Sequence, residues 1–408
     1  MIYARRVREF SACGYGVGVD GVSSEAYQVL SMQTSTLGHY ILPNLHSLRW
    51  DVHPWTNAPF IRLFLNPGLA NVHIQFPNPR PDVYRLAAIS SIPTKDLAQL
   101  RLKYMGNEGP VLDALQTLLD KSSETIRSVA LDGGLSTAFI DRLFQLRNLR
   151  SLEIELPSIP ISSPEVVLPS LKKLAIRYRD DVPWFHILKK IPNPALRDLE
   201  ATFLDDSLTH IQTLTSSLIH ANKKQTLTRL QCSWEKLTPL TVERLRSVFP
   251  LERLTTLNLL PRCIEGRCGV QLEDSIICEL AKALPRLKSL KLGGVPCKVF
   301  TPNVTIESLA ALSTNCVDLD FLQLHFDANK LVSSGSYTDY QSRTFTSRLR
   351  TLSVGSQPLP SDNKNIILIA FALTRIFPHV EELSHAEGAW KQVKLGIGLL
   401  RNGPPSSM

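Results

Sequence analysis

The sequence predicts an α/β solenoid, with parallel strands on a concave face, helices on a convex face, and irregular units of about 28 residues. Three observations predict it. A phrase of the form Leu-x-x-Leu-x-apolar recurs along the 408 residues, the recurrences are spaced at a near-constant interval, and the segments between them carry helical periodicity.

The phrase is seen in "LPRLKSLKLGG" (284–294), with near-copies "LPNLHSLRWD" (42–51), "LRNLRSLEIEL" (146–156) and "LPSLKKLAIRY" (169–178). Requiring a polar residue at every x, chance supplies about one match in a chain of this composition. Seven strict matches start at Leu45, Leu149, Leu196, Leu227, Leu254, Leu287 and Leu349, and looser ones at Leu97, Leu171 and Leu319. Degenerate copies start at Leu69, Ile126 and Val380, with a further candidate at Val7. From Leu45 onward the starts lie 22 to 33 residues apart, with a mean of about 28, close to the period of leucine-rich repeats. Within "LKSLKL", alternation puts Leu290 and Leu292 on one face of a short strand and Ser289 and Lys291 on the other.

Helices are predicted over 110–123, 136–147, 238–249, 272–284 and 365–377, several opening after Ser, Thr or Asn, which cap free N–H groups. Pro110 and Pro239 suit a first turn, where no N–H is needed. Strand, loop, helix and loop repeated in this way bury each unit's leucines against its neighbours alone. Regular repeats place Asn or Cys three residues after the third apolar position, to satisfy the turn. Here Val295, Pro157 and Arg262 hold that place, so irregular turns are expected. The polar interval 330–347 reads as a mobile loop, and Pro-rich "FPNPRPD" (76–82) as a break. The domain organisation expected is an irregular N-terminal segment, 1–41, a solenoid over 42–400, and a disordered tail, 401–408.

These phrases and their long irregular intervals resemble the leucine-rich region of F-box proteins, of the divergent type common in basidiomycete fungi. The opening "MIYARRVREFSACG" leading to "LPNLHSLRWD" looks like the join just after an F-box. The Leu-Pro-x-Glu-like opening of an F-box is missing, so an F-box lost or lying upstream is expected. The resemblance implies substrate recognition in a cullin-RING ubiquitin ligase, with a Skp-type adaptor bound only if an upstream F-box exists. The readings from other classes are a stand-alone repeat scaffold unrelated to ubiquitin and an enzyme with an unrecognised site.

The remaining residues argue against chemistry. No Walker loop, dinucleotide fingerprint, nucleophile elbow or His-Glu-x-x-His occurs. "GYGVG" (14–18), "LDGG" (131–134) and "LGG" (292–294) read as turns. Seven irregularly placed cysteines read as reduced thiols, and the close pair Cys263 and Cys268 lacks two further zinc ligands. His39, His46 and His53 do not converge on a metal, and Asp180-Asp181 and Asp205-Asp206 suit loops and helix starts. No cofactor is expected. A net charge of +8 without a basic block excludes a nucleic-acid arm, and no apolar run suits a membrane span or leader. The location expected is cytoplasmic, nuclear or both.

Function is expected on the concave face, at the third, fifth and seventh residue of each phrase. The candidate partner-binding residues are Arg49, Arg101, Lys103, Asp132, Glu153, Glu155, Lys173, Arg177, Asp198, Glu200 and Lys291. Asp51, Arg229, Gln231, Asn258, Phe321, Gln323 and His325 share those positions. The signs alternate in bands: basic at 101–103, acidic at 132–155, basic at 173–177 and acidic at 198–200. Acidic bands repel a phosphate backbone and suit a protein with complementary bands. Lateral pairing between neighbouring rungs would instead neutralise them.

Overall fold

The computed structural model describes residues 4–13, 24–37, 40–51, 55–76, 82–103, 109–156, 168–178, 188, 191, 196–204, 210–221, 223–234, 239–261, 270–293, 303–330, 345–354, 359, 362–384 and 388–402. Two compact units divide the chain, Met1–Ala195 and Leu196–Met408.

In the first unit seven strands run parallel in chain order: β1 Glu9–Cys13, β2 Ser47–Asp51, β3 Asn71–Gln75, β4 Gln99–Lys103, β5 Ser128–Leu131, β6 Ser151–Leu156 and β7 Lys173–Tyr178. Between them lie α1 Ser24–Leu37, a 3-10 helix Trp55–Phe64, α2 Asp82–Ser90, α3 Gly109–Lys121 and α4 Thr137–Leu143. The second unit repeats the scheme with β8 Asp198–Phe203, β9 Arg229–Trp234, β10 Thr256–Pro261, β11 Ser289–Leu292, β12 Phe321–Leu324, β13 Thr351–Ser353 and β14 Glu382–Ser384, again parallel in chain order. Its helices are α5 His210–His220, α6 Val242–Arg246, α7 Asp274–Ala283, α8 Ile306–Asn315, α9 Asn363–Ile376 and α10 Ala389–Asn402. Each unit is an α/β leucine-rich-repeat solenoid.

Every strand starts two residues after a phrase start, including the degenerate ones. Val7 therefore opens a true rung: β1 pairs in register with β2 from Glu9↔Ser47 to Cys13↔Asp51, so segment 1–41 already holds a strand of the sheet. The first, fourth and sixth residues of each phrase form the core. Leu254, Leu257 and Leu259 in one rung, and Leu287, Leu290 and Leu292 in the next, are wholly buried. Each such leucine contributes about 1.5–3 kcal/mol. The helices answer with apolar stripes, Val111, Leu115, Leu118 and Leu119 on α3 and Ile276, Ile277, Leu280 and Ala281 on α7. Right-handed crossovers keep the helices on one side of parallel strands, leaving the other side open.

One junction recurs where the chain passes into twelve of the strands, β2–β7 and β9–β14. A single carbonyl accepts two successive N–H groups of the next rung: Thr255 O takes Lys288 N at 2.8 Å and Ser289 N at 3.0 Å. Thr228 O takes Thr255 N and Thr256 N in the same way, and Ala98 O takes Arg127 N and Ser128 N. Side chains reinforce this edge. Asn44 and Asn148, each one residue before its phrase, donate to Arg5 O at 2.7 Å and Glu124 O at 3.0 Å, and Arg253 donates to Gln225 O at 3.0 Å. Asn66 is fully buried, and its amide ties the turn before β3 to the turn before β2. It donates to Leu42 O at 2.9 Å and Leu45 O at 3.0 Å, and accepts from Gly68 N at 2.8 Å.

Two helices are shorter than their periodicity predicts. Thr241 sits at the start of α6 because Leu240 is already engaged in a bridge with Val270, and beyond Arg246 the chain tightens into Val248 N→Leu245 O and Phe249 N→Arg246 O turns. Ser136 caps α4, accepting from Phe139 N, and similar turns follow Leu143. Gly133 and Gly293 have φ of 134° and 102°, which explains the glycines after β5 and β11. The segments 14–18, 77–81 and 331–344, the tail 403–408, and Val295, Pro157 and Arg262 lie outside the described residues.

Candidate functional site on the open sheet face

Strand alternation aims the third, fifth and seventh residue of each phrase away from the helices. Arg49, Arg101, Lys173 and Arg177 are exposed there, and Lys103, Asp132, Glu153, Glu155, Asp198, Glu200 and Lys291 are half-buried. Asp51, Asn258 and His325 occupy the same positions but are buried, at 5%, 8% and 4% exposure. Neighbouring rungs cover them. Asn258 lies between Gln231 and Lys291, and His325 stands beside Gly293, which has no side chain to displace it.

The alternating bands meet as one ion-pair network over β4–β7. Arg101 reaches Glu153 with Nη2 at 3.0 Å from Oε1 and 2.9 Å from Oε2. It crosses an entire strand to do so. The intervening fifth position is Ala130, in the register Arg101↔Ala130↔Glu153, and its methyl group leaves the path clear. Arg177 pairs with Asp132 at 3.1 Å and approaches Glu153 at 3.9 Å. Lateral pairing thus accounts for four of the candidate residues. With Arg101 and Glu153 at 44% and 31% exposure, water screens the pair, and its coupling is worth about 0.2–1 kcal/mol. A double-mutant cycle of Arg101→Ala and Glu153→Ala in urea melts should return a coupling of that size, falling further in 0.5 M salt.

On β8–β10 the same positions carry an amide ladder. Gln231 donates to Glu200 at 3.2 Å, and Asn258 donates to Gln231 Oε1 at 3.1 Å. Thr202 and Ser233 meet at 3.0 Å one position further along. Lys291 lies 4.7 Å above the Phe321 ring, a cation–π contact, and Gln323 donates to Gly293 O at 2.7 Å. Lys173 and Asp198 make no ion pair among the described residues; Asp198 lies in register beside Arg229.

His73, at the fifth position of β3, is a residue the candidate set lacks. The degenerate phrase "LANVHI" hides it, although the register that placed Arg101 places it equally well. Burial, then the positive charges of Arg101, Arg49 and Lys103, lower its pKa to about 4, against a weaker opposing effect of Asp51. The folded protein therefore binds fewer protons than the unfolded chain between pH 4 and 6.5, and stability rises with pH across that window. His73→Gln should flatten this rise in melts at pH 4.5, 5.5 and 6.5. His325 shifts in the same direction through burial.

Burial pushes the Cys232 and Cys316 thiols up to about 12, which removes the thiolate needed for nucleophilic attack at neutral pH. Cys263, Cys268, His39, His53, Asp180-Asp181 and Asp205-Asp206 lie outside the described residues. Among the described residues no group of three or more His, Cys, Asp or Glu could hold a metal ion, and no helix is long and apolar enough to cross a membrane.

No protein-family profile and no curated protein matches the chain. Solved structures similar to it include that of a Rad7–Elc1 complex in yeast, with a TM-score of 0.46, 16% identity, and coverage of 84% of this chain and 86% of that one. Another is an internalin from Listeria monocytogenes, with a TM-score of 0.39, 13% identity, and coverage of 94% and 88%. The assignment to leucine-rich-repeat solenoids rests on this chain's own register, in which fourteen phrase starts are each followed by a strand after the same interval.

Proposed function

We propose that the chain is a non-catalytic, protein-binding repeat array that engages its partner on the open sheet face. One observation carries the reading: that face presents cations, carboxylates and amides on adjacent strands, at positions the register holds fixed. Such a surface steers and aligns a partner of complementary charge at little cost in ordering. The partner is a protein, and no cofactor takes part.

The finer reading is substrate recognition within an F-box subunit of a cullin-RING ubiquitin ligase, and the repeat style of "LPNLHSLRW" and "LPRLKSLKL" supports it. Affinity capture with the chain and with an Arg101→Glu, Glu153→Lys, Glu200→Lys variant tests the face. Specific partners should be lost from the variant, and an unchanged set rejects the reading. Co-expression with a Skp-type adaptor, including any coding sequence upstream of Met1, tests the ligase role. Failure to co-purify would leave a repeat scaffold unrelated to ubiquitin.

A further inference from the structure

Arg49, His73 and Arg101 stand side by side at the fifth position of β2, β3 and β4, in the register Arg49↔His73↔Arg101. Lys103 follows two residues beyond Arg101 on the same face. Arg101 already spends its charge on Glu153, whereas Arg49 and Lys103 have no carboxylate partner among the described residues. Asp51, on β2, is the acidic group of these three strands; it is buried, and its Oδ1 finds no hydrogen-bond partner among the described residues. The facing positions of the next rung are Ala130 of β5, which is neutral, and Asp132 just past it, which pairs with Arg177. Even counting Asp51, positive charge is in excess over three adjacent strands.

Two further observations agree. Burial is the largest cause of the depressed basicity of His73, and the cations Arg101, Arg49 and Lys103 lower it further, as positive potential there would. The Nε2 of His73 is also enclosed without a partner among the described residues, and buried polar atoms in folded proteins are ordinarily satisfied.

We infer that the open face of β2–β4 is a docking strip for an acidic segment of a protein partner, whose carboxylates pair with Arg49 and Lys103. The inference rests on the protein-binding reading above and names the chemistry of that partner. Two strand steps separate the cations laterally by about 10 Å, close to the roughly 9 Å rise of one three-residue turn of a polyproline-II segment, so acidic side chains three apart fall on one face and fit best. A nucleic acid fits worse, because its phosphates continue beyond the strip. They would meet Glu9 on β1 and Glu153 and Glu155 on β6.

The probe is a fluorescein-labelled peptide of Glu-Ser-Gly repeats, read by fluorescence anisotropy against the full chain in low salt. Its Glu-to-Gln counterpart and a single-stranded DNA of equal charge serve as comparators. The acidic peptide should bind, Arg49→Glu with Lys103→Glu should weaken it about tenfold or more, and Arg229→Glu on the other unit should leave it unchanged. Arg49→Gln with Lys103→Gln, which should weaken it about threefold, decides the matter if the reversed variant fails to fold. Equal binding by a folded reversed variant, no preference over the Gln peptide, or tighter binding of the DNA would each overturn the inference. A chain indifferent to the acidic peptide that still loses partners on reversal at Arg101, Glu153 and Glu200 keeps the broader reading and loses this strip.

Discussion

Leu290→Asp is expected to abolish cooperative unfolding of the unit Leu196–Met408. Leu290 is wholly buried at the centre of β11, between Leu257 and Leu322 on the flanking strands. Leu290→Ala alone removes a packed side chain at about 2–5 kcal/mol, according to how far the site can collapse. The aspartate adds an unpaired carboxylate in an apolar stack, several kcal/mol more, and the total approaches the 5–15 kcal/mol that typically holds a domain together. Urea melts followed by circular dichroism should show the alanine variant with a lowered midpoint and the aspartate variant without a transition. Hydrogen exchange on the alanine variant should accelerate most in β10–β12, because a rung's core is shared only with its neighbours. Uniform acceleration across the unit would contradict this account.

Asn66 is expected to yield the second largest loss. Its side chain is the partner of two carbonyls in the turn before β2 and one N–H in the turn before β3, and the bonds to the carbonyls are shut away from water. Asn66→Ala leaves those groups unsatisfied, and about 2–4 kcal/mol should be lost. Asn66→Asp separates hydrogen bonding from packing. A carboxylate keeps the shape but cannot donate, and it brings a negative charge against Leu42 O and Leu45 O. Those oxygens would hold its pKa above the unfolded value, so the variant should be more stable at pH 4 than at pH 7, a difference readable from melts at the two values. An aspartate variant as stable as the wild type at pH 7 would show that the turn does not depend on these donors.

The repeat was legible because its signal is covalent and periodic. Leucine at positions one, four and six needs no knowledge of neighbours, which is why even "VREFSA" at Val7 marks a strand. Helix ends were less legible, since Leu240 is drawn into a bridge with Val270, a residue far along the chain. The open face was legible in position but not in state. Nothing local to Arg101 says that it will cross β5 to Glu153; that follows from Ala130 lying between them, a pairing between rungs. His73 was hidden by the weakness of its own phrase, and the burial of Asp51 and His325 arises from the strands beside them.

The doubled acceptor at the foot of β2–β7 and β9–β14 also makes each unit modular. Because Thr255 O seats both Lys288 N and Ser289 N, the next strand is aligned afresh whatever the length of chain that precedes it. Length errors do not accumulate, and spacings of 22 to 33 residues coexist along one sequence. Insertions between rungs are therefore confined to the helical side, and neighbouring units can drift in sequence and size without disturbing the order in which the open face displays its side chains. A family built this way can change what it recognises by single substitutions on the strands, and what it is tethered to by remodelling the loops, with neither change constraining the other.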